Sequence, residues 1–110
     1  MEKDMGKWNV AVTAEGLGIP TMFNEIGESV AGFGANQVTV INTGVSAVYA
    51  KINSSVDAVV AATAAGAGAV QLEGSGGRMT WNGVSIKNVV VATAAGESST
   101  ITWAAVVVPQ

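Results

Sequence analysis

Apolar and polar residues alternate over most of the chain, and a period of two predicts strands. Trp8–Ala14 carries Trp8, Val10 and Val12 on alternate positions. Gln37–Ile41 offers Val38 and Val40; Asn42-Thr43-Gly44 then supplies turn chemistry before Val45–Ile52. In that last segment Val48, Ala50 and Ile52 share one face, with Tyr49 and Lys51 on the other. Asn and Gly accept the positive φ of tight reversals, so the pair is expected to form a β-hairpin. Further strands are predicted at Asp57–Thr63, Val70–Leu72, Met79–Trp81, Val84–Thr93 and Ser99–Val108, with Asn82-Gly83 as a second tight turn. About eight short antiparallel strands point to an all-β fold, a single β-sandwich or jelly-roll-like domain.

Two segments complicate the pattern. Val59-Val60-Ala61-Ala62-Thr63-Ala64-Ala65-Gly66 recurs as Val89-Val90-Val91-Ala92-Thr93-Ala94-Ala95-Gly96, with one difference. Alanine is the best helix former, so Ala58–Ala65 has a helical alternative. The β-branched residues and the parallel with 89–96 favour a strand. Residues 15–36 hold five glycines, one proline and no sustained period, which reads as a long Gly-rich arm or loop. A short helix at Phe23–Val30 is an equal alternative there. The expected organisation is a polar arm over 1–7, the loop over 15–36 and the main sandwich over 37–108.

Composition removes most chemistry. The 110 residues include no His and no Cys, and only 12% are charged against about 25% in typical domains. Imidazole bases, thiol nucleophiles, disulfides and the usual zinc sites are therefore excluded. A net charge of −3 argues against nucleic acid, whose phosphates require clustered Lys and Arg. Glu73-Gly74-Ser75-Gly76-Gly77-Arg78 lacks the Gly-Lys-Ser/Thr ending of a phosphate loop and reads as a flexible hairpin. Glu25 and Glu28 read as a solvated face, with nothing nearby to tune either carboxyl. Asn53-Ser54-Ser55 fits a glycosylation sequon by chance, because the charged start Met1–Trp8 has no signal-peptide character. The longest uncharged apolar stretch, 58–72, is too short and too rich in Ala and Gly to span a bilayer. No catalytic residue, cofactor or metal is expected, and the chain is expected to fold in a cytoplasm.

The large side chains carry the remaining signal. Trp8, Trp81 and Trp103 are candidates for burial; an alternative is a sugar-stacking platform built from Trp8, Tyr49 and Trp81. In the last strand Ile101, Trp103, Ala105 and Val107 fall on one face, and Thr102, Ala104, Val106 and Val108 on the other. A rim strand with small uncharged residues on both faces and no charged gatekeeper suggests cover by another chain. Ile101, Trp103, Ala105, Val106 and Val108 are therefore candidates for an oligomer interface, and a mean hydropathy of +0.43 agrees. Lys3, Lys7, Phe23 and Phe33 are candidates for attachment to a partner. Loss of Met1–Lys7 is expected to weaken attachment and leave the sandwich folded.

Val38-Thr39-Val40-Ile41-Asn42-Thr43-Gly44, Val48-Tyr49-Ala50-Lys51-Ile52, Leu72-Glu73-Gly74 and Ser99-Thr100-Ile101-Thr102-Trp103-Ala104-Ala105 follow in order across two thirds of the chain. In texture and order they resemble the small β-sandwich structural proteins of tailed bacteriophage particles. The resemblance implies a non-enzymatic virion component, a head decoration or cement protein, with a trimer favoured. Its implied partners are further copies of itself and a major capsid protein, with neither nucleic acid nor membrane. The alternative is a tail, fibre or cell-surface module that binds carbohydrate.

Overall fold

The structure, a computed structural model, describes residues 3–23, 33–65 and 68–107. Along the chain these form β1 (Lys3–Thr13), β2 (Leu17–Pro20), β3 (Met22–Phe23), β4 (Phe33–Asn42) and β5 (Val48–Ile52). Then come α1 (Val56–Ala65), β6 (Val70–Leu72), β7 (Arg78–Ile86), β8 (Asn88–Ala92) and β9 (Ser98–Val107). The protein is mostly β, with two antiparallel sheets packed together and one helix. The long sheet runs β1-β9-β4, with β7 on the far side of β4 and the short β3 against the start of β4. The short sheet runs β2-β8-β5-β6.

The alternation places the core. Val12, Val38, Val40, Ile101, Trp103 and Ala105 of the long sheet meet Ile19, Val48, Ala50, Leu72, Val89 and Val91 of the short one. Each Val, Leu or Ile so buried contributes roughly 1.5–3 kcal/mol before entropy is charged against it. A second cluster lies on the other side of the short sheet, where Val59, Val56 and Val60 of α1 pack on Val90, Ala92 and Tyr49. Among the described residues the order of layers is therefore helix, short sheet, long sheet, and none of them covers the outer side of the long sheet, which is bare in that sense.

Buried polar residues tie the sheets at both ends. At one end Asn42 is fully buried, and its amide nitrogen donates to the carbonyls of Ser46 (2.7 Å) and Leu72 (2.9 Å). Its amide oxygen accepts from the Gly44 N–H (3.1 Å) and the Ser99 hydroxyl (2.7 Å), so the side chain is saturated. At the other end Thr21, following β2, donates its N–H to Lys87 O (3.0 Å) and its hydroxyl to Ile86 O, and accepts from the Ala35 N–H (3.0 Å). The body between them is elongated, 41 × 24 × 19 Å.

Several expectations are corrected. Residues 56–65 are a helix, not the strand expected at Asp57–Thr63. Ser55 starts it by accepting the Ala58 N–H on its hydroxyl (3.2 Å), and Asp57 lies in the first turn. The near-identical segment from Val89 also has a serine four residues upstream, Ser85, but that residue lies in β7, and Val89–Val91 is held between β2 and β5. Nor do β4 and β5 form a hairpin. Both edges of β4 are taken, by β7 and β9, so the chain crosses to the other sheet at 43–47. Asn82-Gly83 lies inside β7, in a bulge where the register with β4 jumps from Gln37↔Asn82 to Ala35↔Ile86 and Ser85 has φ 62°. The strand expected at Val84–Thr93 is divided at Lys87, where the chain changes sheets. Within 15–36, β2, β3 and the start of β4 are regular strand; the helix considered for Phe23–Val30 otherwise lies outside the described residues. Finally, Lys3–Lys7 is no free arm: it pairs with Val107–Trp103 as the first half of β1.

Candidate functional site

The bare side of the long sheet carries mostly short, uncharged side chains, with Ile41 opposite Arg78 toward its Asn42 end. Thr39 and Thr80 share a hydroxyl–hydroxyl bond of 2.9 Å across β4 and β7, and the Gln37 amide donates to Asn82 Oδ1 (3.1 Å) beside them. Ala104 of β9 lies opposite Thr39 and is exposed. Such cross-strand pairs hold a face flat and ordered.

At the β1 edge this surface rises into a built feature. Lys7 pairs with Trp103 and Val10 with Ile101, so Trp8 and Asn9 together oppose Thr102 in a β-bulge. Asn9 takes φ 51°, a left-handed conformation that Asn tolerates better than most residues. Its N–H donates to Thr102 Oγ1 (3.3 Å), and its Oδ1 accepts from Thr43 Oγ1 (3.3 Å). Thr43 in turn shares a 2.9 Å bond with Thr100. The bulge re-aims Trp8 away from the core side taken by Val10 and Val12, and its side chain is 83% exposed. Beside the ring lies a depression of about 430 Å³ lined by Gly6, Lys7, Trp8, Ile41, Thr102 and the β9 backbone region at Trp103–Ala104. Gly6 belongs there by necessity, since a Cβ would stand 2.6 Å from Trp103 O.

The structure separates the residues of the expected sugar platform. Trp8 is on the bare face. Trp81 pairs with Val38, so it points to the core side and is half-buried at the sandwich edge. Tyr49 is half-buried beneath α1. No surface carries all three.

The expected oligomer interface is likewise redistributed. β9 is a central strand, hydrogen-bonded to β1 and β4, so the rim on which that expectation rested does not exist. Ile101, Trp103 and Ala105 are buried in the chain's own core; Val106 is half-buried on the bare side, and Val108 lies outside the described residues. For the attachment set, Lys7 is exposed beside Trp8. The backbones of Lys3, Phe23 and Phe33 lie toward the Thr21 end, and their side chains lie outside the described residues.

Other chemistry is sparse. Among the described residues no three His, Cys, Asp or Glu side chains gather to hold a metal ion. Every buried side-chain nitrogen or oxygen among them has a partner, so the internal polar groups serve the fold. The Gly74–Gly76 segment forms a turn between β6 and β7, and Asn53 bonds to Ser85 O (3.3 Å) and to the Lys87 N–H (2.7 Å). Sequence reasoning missed the bulge. Its signal was Asn9, a turn-prone residue inside an otherwise clean alternation. No protein-family model matches the chain, and no curated protein matches it in sequence.

Proposed function

We propose that the chain is a non-enzymatic structural protein of a phage particle, a decoration protein seated on the shell. The observation that supports this reading is the contrast between its two outer sides. One is covered by α1; the other is covered by none of the described elements, and Trp8, almost fully exposed, stands out of it. A molecule that works through surfaces rather than a cleft is built in this way. The phage setting rests on the resemblance over Val38–Ala105. Attachment is assigned to the end where β1 begins and β3 meets β4, around Lys3, Phe23 and Phe33, which leaves the bare face outward. The expectation of a trimer rested on the resemblance, the low charge and the apolar faces of Ile101–Val108, and this proposal does without it.

The test is co-sedimentation of the full chain with phage heads that lack it. Deleting Met1–Lys7 would strip half of β1 from β9, so point changes are used instead. Lys3→Glu together with Phe33→Ala is expected to lower binding at least about tenfold, equivalent to about 1.4 kcal/mol. Retained binding by that double variant, or no binding by the parent chain, overturns the assignment.

A further inference from the structure

We infer that Trp8 is a saccharide-stacking residue and that the depression beside it seats one pyranose ring. This goes beyond the structural role proposed above and stands or falls separately from it. Bulges on edge strands blunt unwanted pairing, but that purpose does not call for an indole. Here the bulge is fixed by two hydrogen bonds through Asn9, and it presents an indole on a face whose other side chains are mostly short and uncharged. An aromatic side chain has few rotatable bonds and loses little conformational freedom on binding. The C–H face of a pyranose is apolar and its rim is ringed with hydroxyls. A ring laid on the Trp8 indole would bury the first against the aromatic face.

The surroundings match the second. Gly6 lacks a side chain and Ala104 has a short one, so space is left against the indole. Thr102 lines the depression; the exposed Asn9, bonded to it, and the exposed Thr43, bonded to Asn9, continue the polar surface from there. About 430 Å³ lies within the range of small-ligand clefts and is far less than the ground covered by a protein partner. Among the described residues lining the depression Lys7 alone is titratable, and an ammonium donates equally to a sugar hydroxyl or a uronate carboxylate. The shared chemistry is therefore the pyranose face, from a neutral or an acidic glycan.

The test titrates the full chain with cellotriose, chitotriose and trigalacturonate at up to millimolar concentration, read by tryptophan fluorescence and calorimetry. Trp103 is buried and Trp81 half-buried, so a response at an exposed indole reports on Trp8. At least one of the three sugars is expected to bind. Trp8→Ala should weaken that binding at least about tenfold with its melting temperature unchanged, and Trp81→Phe should leave it intact. A salt-sensitive response to trigalacturonate alone would identify the acidic source, and a response to cellotriose or chitotriose the neutral one. No response to any of the three, or equal binding by Trp8→Ala, overturns the inference. So does a Trp8→Ala variant that fails to bind phage heads while the parent ignores all three sugars, since the indole would then be a protein contact. Because the attachment test uses Lys3 and Phe33, either idea can fail while the other survives.

Discussion

The two outer sides of this sandwich begin from similar material and end differently. Both are strand faces built largely from Val, Ala, Thr and Gly. On the short sheet, Val90, Ala92 and Tyr49 are closed over by α1, whose Val56, Val59 and Val60 supply the opposing surface. On the long sheet, Thr39, Thr80 and Ala104 face outward, and the most conspicuous side chain is turned away from the protein altogether. The difference is one of complement. An apolar face recruits a covering element, whereas a face of hydroxyls paired with one another remains compatible with water. The first kind of face belongs to stability, the second to recognition.

The largest break in this contrast should come from the covered side. Val59→Asp places a carboxylate between α1 and the short sheet with no partner for its charge. Its cost is about 4 kcal/mol, enough to unfold a marginal domain. A denaturant midpoint that scarcely moved would mean that the helix is not needed to seal that face. Next in size is Asn42→Ala. It leaves the carbonyls of Ser46 and Leu72 and the hydroxyl of Ser99 without their Asn42 partner, and should cost about 3 kcal/mol. Urea titration would measure it, and hydrogen exchange should show the 43–47 crossover loosening before the strands.

The sandwich class was legible because alternation marks faces reliably. Val48, Ala50 and Ile52 do point inward, as expected, with Tyr49 and Lys51 outward. What alternation cannot state is which strand lies beside which. Asn42-Thr43-Gly44 has turn chemistry, but a turn can close a hairpin or carry the chain to the opposite sheet, and the neighbours of β4 decided between them. The repeat gives the same lesson more sharply. Val59–Gly66 and Val89–Gly96 differ at one residue, yet the first begins as helix and the second as strand. A serine stands four residues before each copy, Ser55 and Ser85, so the deciding feature is the pair of partner strands around the second, which lies outside the repeated residues. The two copies also pack on each other, Val59 against Val90.

The site was half legible. Trp8 was singled out, but grouped with Tyr49 and Trp81, because aromatic identity carries no information about facing. A bulge of one residue reverses a side chain, and in a sequence it is nearly silent.

The most direct test of the account asks which way the bare face points in the assembled particle. Hydroxyl-radical footprinting of the full chain, free and bound to phage heads, would follow oxidation at Trp8. The account predicts that Trp8 is oxidised to the same extent in both, because attachment occupies the end around Lys3, Phe23 and Phe33. Protection of Trp8 on the particle would contradict it and make the bare face the side that grips the shell.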